Sequence, residues 1–248
     1  MGRPTPPEGA FYKQHHLHTY DSYQQLPKRF RSYLTADLAV SPDKNADKSC
    51  AGIWMLDEDG CLWLHPELYW DRKSSDESVE KLIELGSRYK VSDCWMEKGQ
   101  MDKAIGPFFE KRHMELVRLG KAKSPEGVQY KPQYFNIQRL PVAGSKGLRS
   151  SSIRGRMAQG KVKFPSFAPW WPAAKEEMLK FTGSGDDKAD DFCDCIALIG
   201  QALDDQVPVS REAANQEPYK FRPTLAWMKG KHTAEQREKK ARAALRGM

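Results

Sequence analysis

The sequence contains no uninterrupted apolar stretch of the roughly 18 to 20 residues that a bilayer-spanning helix needs. The opening Met1 to Pro7 has no apolar centre of a secretion signal. Both absences lead us to expect a cytosolic protein with no membrane partner. Cysteine is scarce: five residues, an odd number with no Cys-x-x-Cys pair, give neither a disulfide framework nor a zinc knuckle. Cys193 and Cys195 stand two apart, which on a helix turns them to different faces. His15, His16 and His18 lie together in a Tyr- and Gln-rich stretch without acidic or cysteine neighbours, so they read as solvated or partner-facing rather than as metal ligands. No Gly-x-x-x-x-Gly-Lys-Ser/Thr loop is present, so ATP hydrolysis through that machinery is not expected of this chain. There is no internal repeat and no low-complexity tract.

What is present is enough for one sizeable core: 248 residues with 39% hydrophobic content. Residues 1–31 read as an irregular arm, 32–204 as the folded domain, and 205–248 as a polar linker with a basic tail that is helix-prone but lacks an apolar stripe and is expected to be disordered when free. The net charge of +7 suits a polyanionic partner, though its placement says more than its size. Lys146, Arg149, Arg154, Arg156, Lys161 and Lys163 fall in one stretch without a single acidic residue, and a second basic run closes the chain from Lys229 to Arg246.

Three apolar runs, Tyr33–Val40, Cys50–Leu56 and Cys61–Trp70, read as successive strands, the last two joined by the acidic turn Asp57-Glu58-Asp59-Gly60. Val79, Leu82, Ile83 and Leu85 then recur at helical spacing behind Ser and Asp residues able to cap a start. A short strand, Val91–Met96, ends at Glu97; a helix over Asp102–Leu119 and a fifth strand over Tyr134–Leu140 follow. Beyond these come a basic helix near Gly147–Ala158, a strand stub at Lys161–Phe164, a helix over Pro172–Phe181 and an apolar helix over Asp190–Leu203. The order implies an α/β fold: a central mixed five-stranded sheet, its first three strands antiparallel, with helices on both faces.

Asp37 interrupts an apolar strand, where an unpaired carboxylate would cost several kcal/mol. Glu97 holds a comparable place at the end of the fourth strand, and Asp190-Asp191-Phe192-Cys193-Asp194 opens the last helix. Asp187, Asp190 or Asp191, and Asp194 are three or four apart and would share a helical face. Acidic residues at a helix start also complement its dipole, which accounts for one or two of them but not for four. If the segments meet, their carboxylates repel one another unless divalent cations intervene, and hard oxygen ligands favour magnesium or manganese over zinc.

The order of a strand Asp, a strand-end Glu and an Asp-Asp helix resembles the ribonuclease H-like nucleases, and the intervening blocks resemble the nuclease domain of the large terminase of tailed bacteriophages. Those blocks are Leu34–Val40 followed by Asp43, Trp95-Met96-Glu97-Lys98-Gly99-Gln100, Lys146-Gly147-Leu148-Arg149 with Gly160-Lys161-Val162-Lys163-Phe164-Pro165, and Ala189-Asp190-Asp191-Phe192-Cys193-Asp194. The last is similar to a His-Asp-Asp-x-x-Asp motif, with Ala189 where the family has His. The resemblance spans about Phe11 to Leu203. It implies a ribonuclease H-like fold and a two-ion magnesium or manganese centre that cuts concatemeric double-stranded DNA with low sequence preference during genome packaging in the host cytoplasm. Asp37, Glu97, Asp191 and Asp190 would be its catalytic, metal-holding residues, with Asp194 and Asp43 as weaker candidates. Lys146, Arg149, Arg154, Arg156, Lys161 and Lys163 would bind DNA. The resemblance further implies as partners a terminase ATPase domain or subunit, a small terminase and a portal protein. Two other readings stay open: a junction resolvase or recombinase on the same fold, and a DNA-binding packaging module without catalysis. Which of Asp190 and Asp191 faces inward is undecided, because one residue turns a helix by about 100°.

Overall fold

Side-chain alternation along the strands divides the core of this protein into two halves, one on each face of a single sheet. The computed structural model describes residues 10–39, 48–142, 144–184, 187 and 190–205. Asp43 and the basic tail lie outside these residues. In chain order the strands are β1 (His18–Tyr20), β2 (Phe30–Asp37), β3 (Ser49–Asp57), β4 (Leu62–Asp71), β5 (Asp93–Lys98), β6 (Ala122–Lys123), β7 (Gln129–Tyr130), β8 (Asn136–Pro141) and β9 (Val162–Pro165). The helices are α1 (Ser75–Arg88), α2 (Gln100–Leu119), α3 (Lys146–Ala158), α4 (Trp171–Lys180) and α5 (Asp191–Asp205).

Seven strands form one sheet in the order β1-β9-β4-β3-β2-β5-β8, with β6 and β7 as a separate small hairpin. The antiparallel succession β2-β3-β4 is as expected, and β3 alone runs against the other six strands of the sheet. The count of seven corrects the expected five. The stub β9 pairs in parallel with β4 through Leu62 and Trp63, and β1 then pairs with β9. A three-residue strand is too short to carry a period of two, so β1 left no signal in a stretch that reads as an irregular arm. That stretch is knitted into the core: Tyr12 is fully buried, and the Phe11 amide donates to the Phe181 carbonyl at 2.9 Å.

Along β2, Leu34 and Ala36 join the core half built from Val79, Leu82 and Ile83 of α1 and from Ile105, Phe109 and Leu116 of α2. Tyr33 points the other way, into the half formed with α3, α4 and α5. Thr35 faces that second side too, where its hydroxyl accepts from the Trp54 indole at 3.0 Å and lies 3.4 Å from the Cys195 sulfur. Local chemistry fixes the element ends. Ser74 and Glu77 form a reciprocal capping box on α1, and Asp57 accepts the amides of Asp59 and Cys61 to close the β3–β4 turn, where Gly60 takes φ +74°.

α5 is apolar all round from Cys195 to Gly200, where it is covered on every side; Phe192, Ile196, Ile199 and Leu203 are buried among the sheet, α3 and α4. α3 runs parallel to it, as three cross-links in step show: Lys146 to Asp194, the Ser152 hydroxyl to the Gly200 carbonyl, and Arg156 to Asp204. The approach is close at Gly200, where an added Cβ would lie 2.7 Å from the Ile153 amide nitrogen. Both helices therefore begin at the end of the sheet where β2 finishes.

Gly200→Ala is expected to lower stability by about 1–3 kcal/mol through overpacking. Gly155→Ala, on the open side of α3 with no heavy atom within 4 Å of the added carbon, should be neutral or stabilising by up to about 1 kcal/mol. Thermal denaturation of the two variants side by side checks this, and equal melting temperatures would show that the helices are not in tight contact.

Candidate active site

β2 and β5 are parallel neighbours with Ala36 paired to Met96, so the next residues, Asp37 and Glu97, stand beside each other where the two strands end. Ala36 and Met96 belong to the α1/α2 side of the core. The period of two therefore turns Asp37 and Glu97 to the opposite side, the one that α5 covers. Asp191, the first residue of α5, is 8% exposed, and Asp194 follows one turn later.

Asp190 precedes the helix and directs an oxygen to the Lys146 ammonium, which also reaches Asp194 at 2.9 Å. Arg149, one turn further along α3, binds the Glu97 carboxylate. The negative charges acting on Asp37 come from Asp194, Glu97 and Asp191. Asp190 and Asp194 share the Lys146 ammonium. Asp187 does not share the helical face expected of it, because α5 begins only at Asp191; its carboxylate instead accepts the amides of Thr182 and Gly183 at 3.0 and 2.9 Å.

Burial first, and then Asp194, Glu97 and Asp191, push the Asp37 carboxyl up to about 7, with Lys146 opposing. Burial also raises Asp194 against the pull of Lys146, and the two aspartates hold the Lys146 ammonium above the usual lysine range. Among the described residues no hydrogen bond or ion pair reaches the Asp37 carboxylate. Among those residues, too, no three His, Cys, Asp or Glu side chains are already arranged as a metal cage. Carboxylates therefore lie around an undonated Asp37, and Lys146 and Arg149 are drawn onto their outer members.

The six cations expected to contact DNA do not form one patch. Lys146 and Arg149 are at the carboxylates. Arg154 lies over the Phe11 ring at 4.2 Å, and Arg156 pairs with Asp204 at 4.0 Å on the last turn of α3. Lys161 donates to the Asp59 carbonyl in the β3–β4 turn, at the far end of the sheet, and Lys163 sits on β9 next to β1. One residue escaped the sequence reading. Glu177 of α4 accepts the Cys193 amide of α5 at 2.9 Å; burial pushes its carboxyl up to about 7, and the Cys193 amide opposes this. The available signal was a carboxylate beside Ala174 and Met178, which are buried on the inward side of an amphipathic helix.

Six co-directional strands around a reversed β3, with helices on both faces, give the ribonuclease H-like α/β fold expected from the order of elements. Among solved structures, the chain is similar to a mutant form of the large terminase subunit from bacteriophage sf6 with calcium, at 8% identity and a TM-score of 0.53 over 77% of this chain and 98% of that one. It is similar also to the large terminase of a thermophilic bacteriophage, at 9% identity and a TM-score of 0.52 over 79% of this chain. It matches only 45% of the length of that terminase. The human cytomegalovirus terminase nuclease domain, Mn soaked and inhibitor bound, aligns at 11% identity and a TM-score of 0.49, over 85% of this chain and 100% of that one. The two bacteriophage structures carry the likeness of fold. No family model and no curated protein sequence matches the chain.

Asp37→Asn should stabilise the metal-free protein, by roughly 2 kcal/mol at pH 8 after allowance for partial solvent access. A carboxyl raised in the folded state weakens folding progressively as pH climbs from its unfolded value towards about 7. The gain should therefore be absent near pH 4 and complete above pH 7. Denaturation in chelator across this range tests it, and a gain independent of pH would rule out charge as its source.

Proposed function

We propose that this chain is the nuclease part of a viral DNA-packaging terminase, a divalent-metal-dependent endonuclease that hydrolyses phosphodiesters of concatemeric double-stranded DNA with low sequence preference. The observation that supports this reading is that Asp37 and Glu97 end adjacent parallel strands on the face that α5 covers, with Asp194 and Asp191 of α5 near enough to raise the Asp37 carboxyl. Their oxygens would hold a pair of magnesium or manganese ions, which when bound supply an activated water and stabilise charge on the leaving oxygen. Asp37 and Asp191 are the principal ligands in this reading, Glu97 a ligand that also orients the water, and Asp194 the fourth donor. Asp190 keeps Lys146 at the rim.

The chain's other groups act on the substrate backbone. Lys146 and Arg149 place two positive charges at the carboxylate end, and the N-termini of α3 and α5 open towards the same place, an arrangement that favours phosphate. Arg154 and Arg156 then continue the positive charge along α3, which is about 20 Å long at 1.5 Å per residue. Contacts of this kind read phosphate rather than bases, which accords with weak sequence preference. As a terminase component working in the host cytoplasm, the chain would act with an ATPase domain or subunit, a small terminase and a portal protein. The alignment with 98% of the sf6 chain but under half of the thermophilic bacteriophage terminase supports a nuclease portion of such a machine.

Plasmid digestion tests the proposal. Cleavage should require magnesium or manganese, stop with chelator, and fall by about a hundredfold or more in Asp37→Ala or Asp191→Ala, since metal-held chemistry supplies several kcal/mol of the barrier. Full activity in Asp37→Ala would remove the proposed centre. Asp190→Ala should cost less than either, which separates it from Asp191.

A further inference from the structure

We infer that Glu177 is a positioning residue that fixes the carboxylate-bearing first turn of α5 by capping it from a neighbouring helix; this rests on the reading of Asp191 and Asp194 as metal ligands. The first amides of a helix have no partner within it and need an acceptor. The residue before α5, Asp190, gives an oxygen to Lys146. Glu177, 16 positions away on α4, accepts the Cys193 amide at 2.9 Å. Cys193 is the third residue of α5, and its amide is one that a local capping side chain would otherwise take.

The cap lies between the two acidic side chains in sequence. Asp191 precedes the capped amide and Asp194 follows it directly, so fixing Cys193 fixes the backbone from which both carboxylates project. The anchor is itself rigid: α4 is held by the buried side chains of Trp171, Ala174 and Met178. Without the cap, the first turn of α5 would have to find water for its amides beside four mutually repelling carboxylates, and the apolar packing that secures the helix begins only at Phe192. Glu177 acts on the site through that backbone, and its role requires an acceptor oxygen at this place rather than a charge.

The test uses the full chain with Glu177→Ala and Glu177→Gln, the second keeping an oxygen that can accept the Cys193 amide. Titration with manganese ion alone should show about 10- to 100-fold weaker binding in Glu177→Ala and near-normal binding in Glu177→Gln. Amide hydrogen exchange in chelator should show faster exchange at Cys193 in the alanine variant only. If Glu177→Ala does not fold, Glu177→Asp, whose shorter side chain withdraws the acceptor, takes its place with the same expectations. Wild-type manganese affinity in a folded alanine variant would overturn the inference, as would unchanged exchange at the Cys193 amide. Absence of manganese binding in the wild type would defeat the metal reading while the exchange measurement still decides whether Glu177 is the cap.

Discussion

Repulsion among carboxylates at one end of the sheet is the constraint that the rest of the molecule is arranged around. Asp37 has negative neighbours on β5 and α5 and is mostly walled by protein. Such a group raises the free energy of the fold at neutral pH unless positive charge or oriented dipoles offset it. The structure supplies both. Lys146 and Arg149 bind the outer carboxylates, and two parallel helices aim their N-termini at the cluster. Dipole effects are strongest in the first turn, which is where Asp191 and Asp194 are.

That electrostatic task explains features that would otherwise look unrelated. The parallel pairing of α3 and α5 needs a close approach, and Gly200 allows it beside Ile153. A carboxylate on α4 accepts the Cys193 amide in the first turn of α5 while the adjoining Asp190 turns to Lys146. The sheet contributes parity: because β2 and β5 are parallel and in register, two acidic residues at their ends fall side by side on one face. Rigid elements converge on the cluster from three directions, as a site that must hold groups against their own repulsion requires.

Much of this was legible in the sequence because it depends on short-range periodicity. The apolar run around Asp37 and the one before Glu97 gave strand positions and hence faces, and the acidic turn at Asp57–Gly60 gave the hairpin. The fold class followed from the order of elements. Relations across the chain were not legible. The three residues of β1 carry no period, and their pairing with β9 joins segments some 145 positions apart. The choice between Asp190 and Asp191 depended on where α5 starts, which a single residue changes. Glu177 looked like an ordinary helix carboxylate because its partner is a backbone amide on another helix. The basic residues from Lys146 to Lys163 form one acid-free stretch of sequence, yet a helix followed by a strand spreads their charges from the carboxylates to the opposite end of the sheet.

Anomalous diffraction from crystals soaked in manganese tests the central claim most directly, because it locates the ion without reference to activity. Peaks bounded by oxygens of Asp37, Asp191 and either Glu97 or Asp194 are expected. Manganese bound only elsewhere, with Asp37 still lacking a cation, would contradict the view that these acidic side chains were brought together to hold one.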